Sequence, residues 1–182
     1  MCQGHVEPAT LEARERFIDA TRDTPEDITR ERLIAESATV LADAVPWADT
    51  RAMWQAKLER AADTFIEGEH ARRLLAQPAA LEATGAAELP ELGFRLTAKA
   101  DRIDIDPAGN LHLYDYKTGK APSKDQQTHF DKQLLLSAAI ATMSGFGQIA
   151  PAKVARAVFI SLGSGKPEEP APLETEPPEK VW

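Results

Sequence analysis

Residues 1–75 carry apolar side chains at three- and four-residue spacing, which is the period of amphipathic helices. The first run, residues 11–21, is short and highly charged. Thr24 is followed by Pro25 and two acidic residues, a sequence that predicts an N-cap and the start of a second helix ending near Pro46. The N-terminal region is therefore predicted to be helical.

A third helix is predicted from about Thr50, because one helical stripe collects most of the apolar residues that follow. The residues on this stripe are Trp54, Leu58, Ala61, Ala62, Phe65 and Ile66. The next segment, residues 75–91, is rich in alanine and glutamate and is interrupted by two prolines and a glycine. This composition predicts a surface connection that carries no recognisable chemistry.

The apolar period changes to two after Pro90, which predicts a β-strand. Even-numbered positions in 92–100 are mostly apolar, whereas Ile103 and Ile105 are odd-numbered. An extra residue or a twist is therefore expected near residues 100–102, and such irregularities are common beside active sites.

Residues 106–110 contain proline, glycine and asparagine, which favour a reversal, and residues 111–117 have the pattern of a second strand. The two strands are predicted to form an antiparallel hairpin centred on Ala108. A helix from residue 124 or 127 to 144 and a strand over residues 153–162 follow. This order of elements predicts an α/β fold.

One domain is expected over residues 1–162, with a helical part in residues 1–75 and an α/β core in residues 92–162. Residues 163–182 contain five prolines and five acidic residues. Such a composition predicts a loosely ordered tail.

Composition excludes several classes of function and of metal site. The formal net charge of -8 argues against a nucleic-acid binder that works by charge alone. The single cysteine, Cys2, excludes an internal disulfide, a four-cysteine zinc site and a self-contained iron–sulfur cluster, so a metal would need oxygen or imidazole ligands. Neither a membrane-spanning apolar run nor a secretory signal is recognisable, so a cytoplasmic location is expected.

Charge is distributed unevenly, and residues 95–132 hold seven basic and six acidic groups. If two of these carboxylates bound a divalent cation, the segment would present a net basic surface. Its cations would include Lys99, Arg102, Lys117, Lys120, Lys124 and Lys132.

The predicted hairpin brings two aspartates together. Pairing centred on Ala108 places Asp101 opposite Asp115, and like charges repel across the ~5 Å that separates such partners. Mg²⁺, which binds one or two carboxylates together with waters and phosphate oxygens, would remove the conflict. Lys117 shares the face of Asp115 and could position a water, so the set suits phosphodiester hydrolysis. The alternative interpretation is a buried Asp115–Lys117 ion pair with Asp101 solvated at a bulge.

Several motifs in order give the sequence a family resemblance. They are RLTAKADRID at residues 95–104, LYDYKTGK at residues 113–120, and Gln133 followed by three leucines. Together they resemble the RecB-like nuclease domain of the PD-(D/E)XK superfamily, and within it the C-terminal nuclease domains of the AddB subunits of bacterial AddAB helicase-nucleases. The resemblance implies a restriction-endonuclease-like core, a mixed β-sheet flanked by helices.

The resemblance also implies roles for the matched residues. Asp101 corresponds to the first metal-binding aspartate, Asp115 to the second acidic ligand and Lys117 to the motif lysine. The carbonyl of Tyr116 would be a further metal ligand, and Gln133 would lie beside the active site and the DNA. The implied cofactor is Mg²⁺ or Mn²⁺, the reaction is DNA hydrolysis during recombinational repair of double-strand breaks, and the partner is an AddA-like subunit.

Three features depart from the family pattern. Leu11 occupies the position of a metal-binding histidine on an early helix, Ser137 replaces a frequent tyrosine, and the four-cysteine cluster of many AddB proteins cannot form. These departures support an alternative, a catalytically inactive nuclease fold that holds DNA or docks a subunit. A structural domain without a nucleic-acid role is a third hypothesis. The sequence is expected to be an excised domain or a gene fragment, since AddB proteins are far longer.

Other polar residues near the motifs have competing interpretations. Glu69 could add a metal ligand, but solvation at a helix boundary is favoured. Asp104 points away from the acidic pair and is expected at the surface, where Arg102 would balance it or contact phosphate. His112 is expected to be structural, and His129 to be exposed near the substrate.

Overall fold

The computed structural model describes residues 6–162 and 166–180, so Cys2 lies outside the described residues. The N-terminal region consists of three helices: α1 (Val6–Ala20), α2 (Arg30–Ala44) and α3 (Ala48–Arg73). None of the helices in these ranges is long and apolar enough to cross a membrane.

The second helix begins later than predicted. Residues Pro25–Asp27 form only a 3₁₀ turn, and the side chain of Thr24 caps no N–H group of that turn. The hydroxyl oxygen of Thr29 instead accepts a hydrogen bond of 3.2 Å from the backbone N–H of Arg32. Thr29 is therefore the N-cap, because it satisfies a donor that the first helical turn leaves free.

In the part of the chain that the structure describes, five strands form one mixed sheet in the order β1-β2-β3-β4-β5. Their bounds are Gln77–Leu89 for β1, Phe94–Ile105 for β2, Leu111–Lys117 for β3, Val154–Ser161 for β4 and Glu168–Pro170 for β5. Strands β3 and β4 are parallel, and the other neighbours are antiparallel. Two helices, α4 (Lys124–His129) and α5 (Gln133–Met143), connect the parallel pair. The prediction of an α/β fold with a mixed sheet flanked by helices is confirmed.

The two faces of the sheet form two hydrophobic cores. Successive residues of β3 point to opposite faces, so Tyr114 and Tyr116 pack with helices α1, α2 and α3, whereas Leu111 and Leu113 pack with α5. The helical core includes Phe17, Leu41, Leu58, Phe65 and Val158, with Trp54 packed against it. The sheet is thus covered on both sides. Side chains that reach a substrate are therefore expected where strands end or separate.

The prediction of a surface connection over residues 75–91 is wrong, because most of it is strand β1. Pairs with β2 run from Gln77–Ile105 to Leu89–Phe94. Alanine, glutamate and glycine are uncommon in strands, which concealed this one in the sequence. Small residues suit the position, since Ala87 is fully buried and Gly85 lies directly against the ring of Phe146.

An extra residue or a twist was expected near residues 100–102, and the side chains of β2 do change faces there. Ala100 belongs to the core beneath α5, whereas Arg102 is bonded to Glu69 of α3 on the other face. Strand β1 changes faces at the paired place, because Leu81 packs against the helical core and Ala83 against the core beneath α5. Glu82, between them, has a φ of +51°. The irregularity is therefore a twist shared by both strands, without an inserted residue in β2.

The hairpin turn is built as its sequence predicts. Gly109 has a φ of +83°, a conformation that favours glycine, and the carboxylate of Asp106 accepts hydrogen bonds of 2.8 Å from the N–H groups of Ala108 and Asn110. The first pair of the hairpin is Ile105 with Leu111. The predicted register centred on Ala108 is confirmed.

Two segments differ from the sequence prediction after β3. The single helix expected to end at Ser144 is broken between α4 and α5, because the N–H groups of Phe130 and Asp131 both donate to the carbonyl of Gln126. In the segment expected to be a loose tail, residues 168–170 form strand β5 against β4. Glu176 beyond it forms an ion pair with Lys132 at the start of α5.

Candidate functional site

Strands β2 and β3 separate at Asp101. Their pairing runs from Ile105–Leu111 to Arg102–Tyr114, and the directly opposed Asp101–Asp115 pair that the sequence predicted does not follow. Instead, Oδ2 of Asp101 accepts a hydrogen bond of 2.8 Å from the backbone N–H of Tyr116. The carboxylate thus takes the place of a ladder acceptor at the point where the pairing of β2 with β3 ends.

Asp115 is 7% exposed and lies beside a second carboxylate and an ammonium group. Burial raises the pKa of Asp115 to about 6, the contact with Lys117 opposes this rise, and the charge of Asp101 adds to it. Oδ2 of Asp115 lies 2.7 Å from Nζ of Lys117, so the alternative prediction of an Asp115–Lys117 ion pair is confirmed. That pair coexists with a neighbouring Asp101, so it does not exclude a metal site.

Helix α1 contributes a buried cation to this region. The guanidinium of Arg14 lies 4.4 Å from the centroid of the Tyr116 ring, and Nε donates to the carbonyl of Thr10. Burial lowers the pKa of Arg14 to about 10, while the charges of Asp101 and Asp115 raise it. Its two terminal nitrogens are buried and have no hydrogen-bond partner among residues 6–162 and 166–180. Arg14 therefore places a fixed positive charge next to the two carboxylates.

Glu15 is a third carboxylate in the same neighbourhood. Burial raises its pKa, Lys99 and Arg14 lower it, and the charge of Asp101 raises it again. The sequence interpretation missed both Arg14 and Glu15. They lie three and four residues after Leu11, so helical spacing from the position of the family histidine was the signal that could have found them.

Gln133, the first residue of α5, is exposed. It lines a surface cavity of about 660 Å³ together with Asp131 and Phe130. The charge of Asp131 also raises the pKa of Asp115. The structure thus brings Asp101, Asp115 and Lys117 together and places Gln133 in the cavity with Asp131.

The expectation of a solvated Glu69 is wrong, because Glu69 is 0% exposed. Its carboxylate is bonded to three arginines, with distances of 2.7 Å to Nη1 of Arg102, 2.7 Å to Nε of Arg73 and 3.1 Å to Nη2 of Arg72. Burial by itself would raise the pKa of Glu69, but Arg102 and Arg72 hold it at about 2. Glu69 is therefore a structural ion, unavailable to a metal.

The expectation of a surface position for Asp104 is also wrong. Asp104 faces away from Asp115, as predicted, but helix α3 covers that face of the sheet. Both of its oxygens bind Arg102, at 2.6 and 2.7 Å, so the prediction that Arg102 balances Asp104 is confirmed. His112 is buried in the fold and His129 is exposed, as predicted.

The basic surface expected from residues 95–132 is smaller than the sequence suggested. Arg102 is buried within ion pairs, Lys99 binds Glu82, and Lys132 binds Glu176. Cations that already have acidic partners contribute less to phosphate binding. Nucleic-acid binding near the acidic pair would therefore depend less on positive charge than the count of basic residues indicated.

The donor set has the composition that a hard divalent cation requires. Oδ2 of Asp115 is buried against the ammonium of Lys117 at 2.7 Å, and Asp101 provides a second carboxylate held by the N–H of Tyr116. Mg²⁺ commonly needs only one or two carboxylates besides waters and substrate oxygens. In the described residues, no group of three or more His, Cys, Asp or Glu side chains is arranged to hold a metal. The residues fit a two-carboxylate site.

Two curated proteins of rickettsiae are similar to part of the chain. Uncharacterized protein RC0550 of Rickettsia conorii is 30% identical over 100 residues, which is 53% of this chain and 12% of that protein. Uncharacterized protein RT0391 of Rickettsia typhi is 29% identical over 100 residues, again 53% of this chain and 12% of that protein. The chain thus matches about an eighth of the length of these relatives.

A family model covers far more of the chain. The model of the PD-(D/E)XK nuclease superfamily matches residues 9–181, a range that includes most of α1, the whole sheet and the acidic pair. Its description names nuclease function, and the mixed sheet flanked by helices agrees with that fold. The chain belongs to the PD-(D/E)XK nuclease superfamily.

Proposed function

We propose that this chain is a metal-dependent DNA nuclease domain that hydrolyses phosphodiester bonds during recombinational repair of double-strand breaks. The observation that carries the proposal is the proximity of Asp101, Asp115 and Lys117 where β2 and β3 separate, in a chain of a nuclease superfamily. The finer resemblance to AddB, an AddA-like partner subunit and a cytoplasmic location are parts of the same proposal.

Asp101 and Asp115 would hold Mg²⁺ or Mn²⁺, with the carbonyl of Tyr116 as a further ligand. Such an ion, when bound, polarises a phosphoryl oxygen and lowers the pKa of its water. The hydrogen bond from the Tyr116 N–H fixes the carboxylate of Asp101 before any ligand arrives, and such preorganisation favours catalysis. Arg14 offsets part of the negative charge that the two carboxylates place in a buried region.

Lys117 is assigned the task of positioning the attacking water and offsetting the charge that develops on the phosphoryl group. Its ammonium already lies against Asp115 and 5.3 Å from the centroid of the Phe159 ring, so its position is restricted. Gln133, exposed at the start of α5, would contact the DNA strand.

Cleavage of labelled single- and double-stranded DNA tests the proposal. The wild-type chain should cut in Mn²⁺ or Mg²⁺ and not in EDTA. Asp115→Asn and Lys117→Ala should lose about a hundredfold or more of the rate, while the exposed controls Asp125→Asn and Lys153→Ala should keep it. Cutting that persists in EDTA, or in both site variants, would refute the proposal.

One observation favours the inactive nuclease fold as a second candidate. Leu11 packs against the helical core at the position where the family resemblance predicts a histidine ligand, so this position offers no metal donor. An inactive module would bind DNA or a subunit without cutting. Absence of cleavage in every metal, by a folded chain that still binds DNA, would favour this candidate over the nuclease.

A further inference from the structure

Phe130 is a large aromatic residue that the fold holds in solvent. It lies in the break between α4 and α5, and its side chain is 87% exposed. Its backbone is fixed, because the N–H groups of Phe130 and Asp131 each donate a 2.8 Å hydrogen bond to the carbonyl of Gln126. A capping box between Ser123 and Gln126 anchors the preceding helix. The ring therefore occupies a defined place next to α5.

Exposure alone does not indicate a binding site, since single exposed apolar residues are normal on protein surfaces. Leu74, at the end of α3, is also 87% exposed. Phe130 differs from Leu74 by its location. It lines the 660 Å³ cavity shared with Asp131 and Gln133, and Gln133 is the residue that the proposed function places against the DNA strand. The exposed ring thus stands beside the residue proposed to contact DNA.

The chemistry around the ring matches a nucleobase better than a phosphate group. Lys132, the only lysine or arginine among the described residues that line the cavity, is already paired with Glu176. Asp131 adds negative charge, so phosphate is disfavoured there. The cavity combines an apolar aromatic face with the amide groups of Gln126 and Gln133, and bases are recognised by stacking on their faces and hydrogen bonds on their edges.

A second exposed ring lies next to Phe130. The imidazole of His129 is exposed and lies 6.2 Å from the Phe130 ring, at an interplanar angle of 66°. The two rings therefore lie edge to face and are not stacked on each other. Base–aromatic stacking tolerates any base, because every base has a π-face.

We propose that Phe130 is a base-stacking subsite, which holds an unpaired nucleobase of the DNA strand next to Gln133. Gln133 lines the same cavity and supplies hydrogen bonds to the edge of that base. The subsite rests on the proposed nuclease function and specifies one of its contacts. A strand whose bases are free to leave their stack would therefore be preferred over an intact duplex.

The test measures DNA binding in EDTA, so that cleavage does not enter the readout. Oligonucleotides of about 12 nucleotides carry 2-aminopurine, whose fluorescence reports stacking, and are offered as a single strand, a duplex and a single strand with abasic sites. The proteins are the wild-type chain, Phe130→Ala, Phe130→Tyr and the matched exposed control Leu74→Ala. Circular dichroism melting checks that each variant is folded.

Phe130→Ala should bind the single strand about 5- to 100-fold more weakly, whereas Phe130→Tyr and Leu74→Ala should bind it as the wild type does. The abasic strand should bind all four proteins equally. Three results would each overturn the subsite: equal affinity of wild type and Phe130→Ala for the normal strand, an equal loss on the abasic strand, or no DNA binding by the wild type. A ring that docks a protein would give the first of these results.

Failure of the nuclease proposal has a different signature. It appears as absence of metal-dependent cleavage by the wild-type chain, whatever Phe130 does. Failure of the subsite alone appears as normal cleavage with unchanged preference for single strands in Phe130→Ala.

Discussion

Oδ2 of Asp101 accepts a 2.8 Å hydrogen bond from the backbone N–H of Tyr116, at the position where β2 and β3 stop pairing. An N–H group of β3 that lacks a ladder partner is satisfied by a side chain, which keeps a carboxylate at the opening between the strands. The same bond ties Asp101 to the residue that follows Asp115. The two acidic residues are therefore positioned by backbone structure, without need of a metal to bring them together.

Removal of the charge on Asp115 should stabilise the chain without metal. Its pKa of about 6 lies above the ordinary value of ~3.9, so the folded state loses stability as the pH rises from about 4 to 6 and bears the full cost above 6. Asp115→Asn should raise the free energy of unfolding at neutral pH by about 1 to 3 kcal/mol, with no gain near pH 4.

Urea unfolding of Asp115→Asn at several pH values measures this effect, with the exposed Asp125→Asn as control. The control should change the free energy of unfolding by less than about 0.5 kcal/mol. A loss of stability at neutral pH in Asp115→Asn would show that its contact with Lys117 outweighs the cost of burial.

Glu69 is predicted to hold the fold together rather than to act in catalysis. Glu69→Gln removes the negative charge that Arg72, Arg73 and Arg102 share, and should cost about 3 to 5 kcal/mol, because buried cations lose their partner. The exposed neighbour Glu67 provides the control Glu67→Gln, with a change below about 0.5 kcal/mol. Equal unfolding midpoints of the two variants would contradict this role.

The pH dependence of Glu69 has the opposite sign to that of Asp115. The pKa of Glu69, about 2, lies below the ordinary value of ~4.3. Ionised Glu69 therefore contributes its full stabilisation above pH ~4.3, and this contribution is lost as the pH falls toward 2. The difference in stability between wild type and Glu69→Gln should therefore shrink in acid.

Strand β1 can be tested at Gly85. A Cβ atom there would lie 2.7 Å from Cδ1 of Phe146, so Gly85→Ala should lower the free energy of unfolding by about 1 to 3 kcal/mol. The loss should be smaller in a Phe146→Leu background, because the smaller side chain gives way. If residues 75–91 were the surface connection that their composition suggests, Gly85→Ala would instead be neutral or stabilising. Thermal unfolding of the four proteins separates these outcomes.

The hairpin could be predicted from sequence because two local signals agree. Period-two apolar positions define the strands, and Asp106 with Gly109 defines the turn, so the register followed without knowledge of the rest of the chain. Strand β1 has neither signal, since its alanines owe their place to contact with α5 and β2. Strand β1 therefore forms because of tertiary packing, which a local sequence pattern does not contain.

The candidate site was predicted in part for the same reason. Asp115 and Lys117 lie on one strand, so their neighbourhood follows from alternation alone. The relation between Asp101 and Tyr116 depends on a twist shared by two strands, and Arg14 and Glu15 reach the site from a helix about a hundred residues away in sequence. Asp104 shows the limit of arguments from strand alternation. The face of the sheet to which its side chain points was predicted, but the helix that covers that face was not.

Titration of Mn²⁺ into the folded chain by calorimetry tests the central claim most directly, because it examines the acidic pair whether or not the isolated chain can cut DNA. The wild type should take up Mn²⁺ at neutral pH, and binding should weaken at least about tenfold in Asp101→Asn and in Asp115→Asn but not in Asp125→Asn. No uptake by the folded wild type, or unchanged uptake in both site variants, would contradict a metal centre at Asp101 and Asp115.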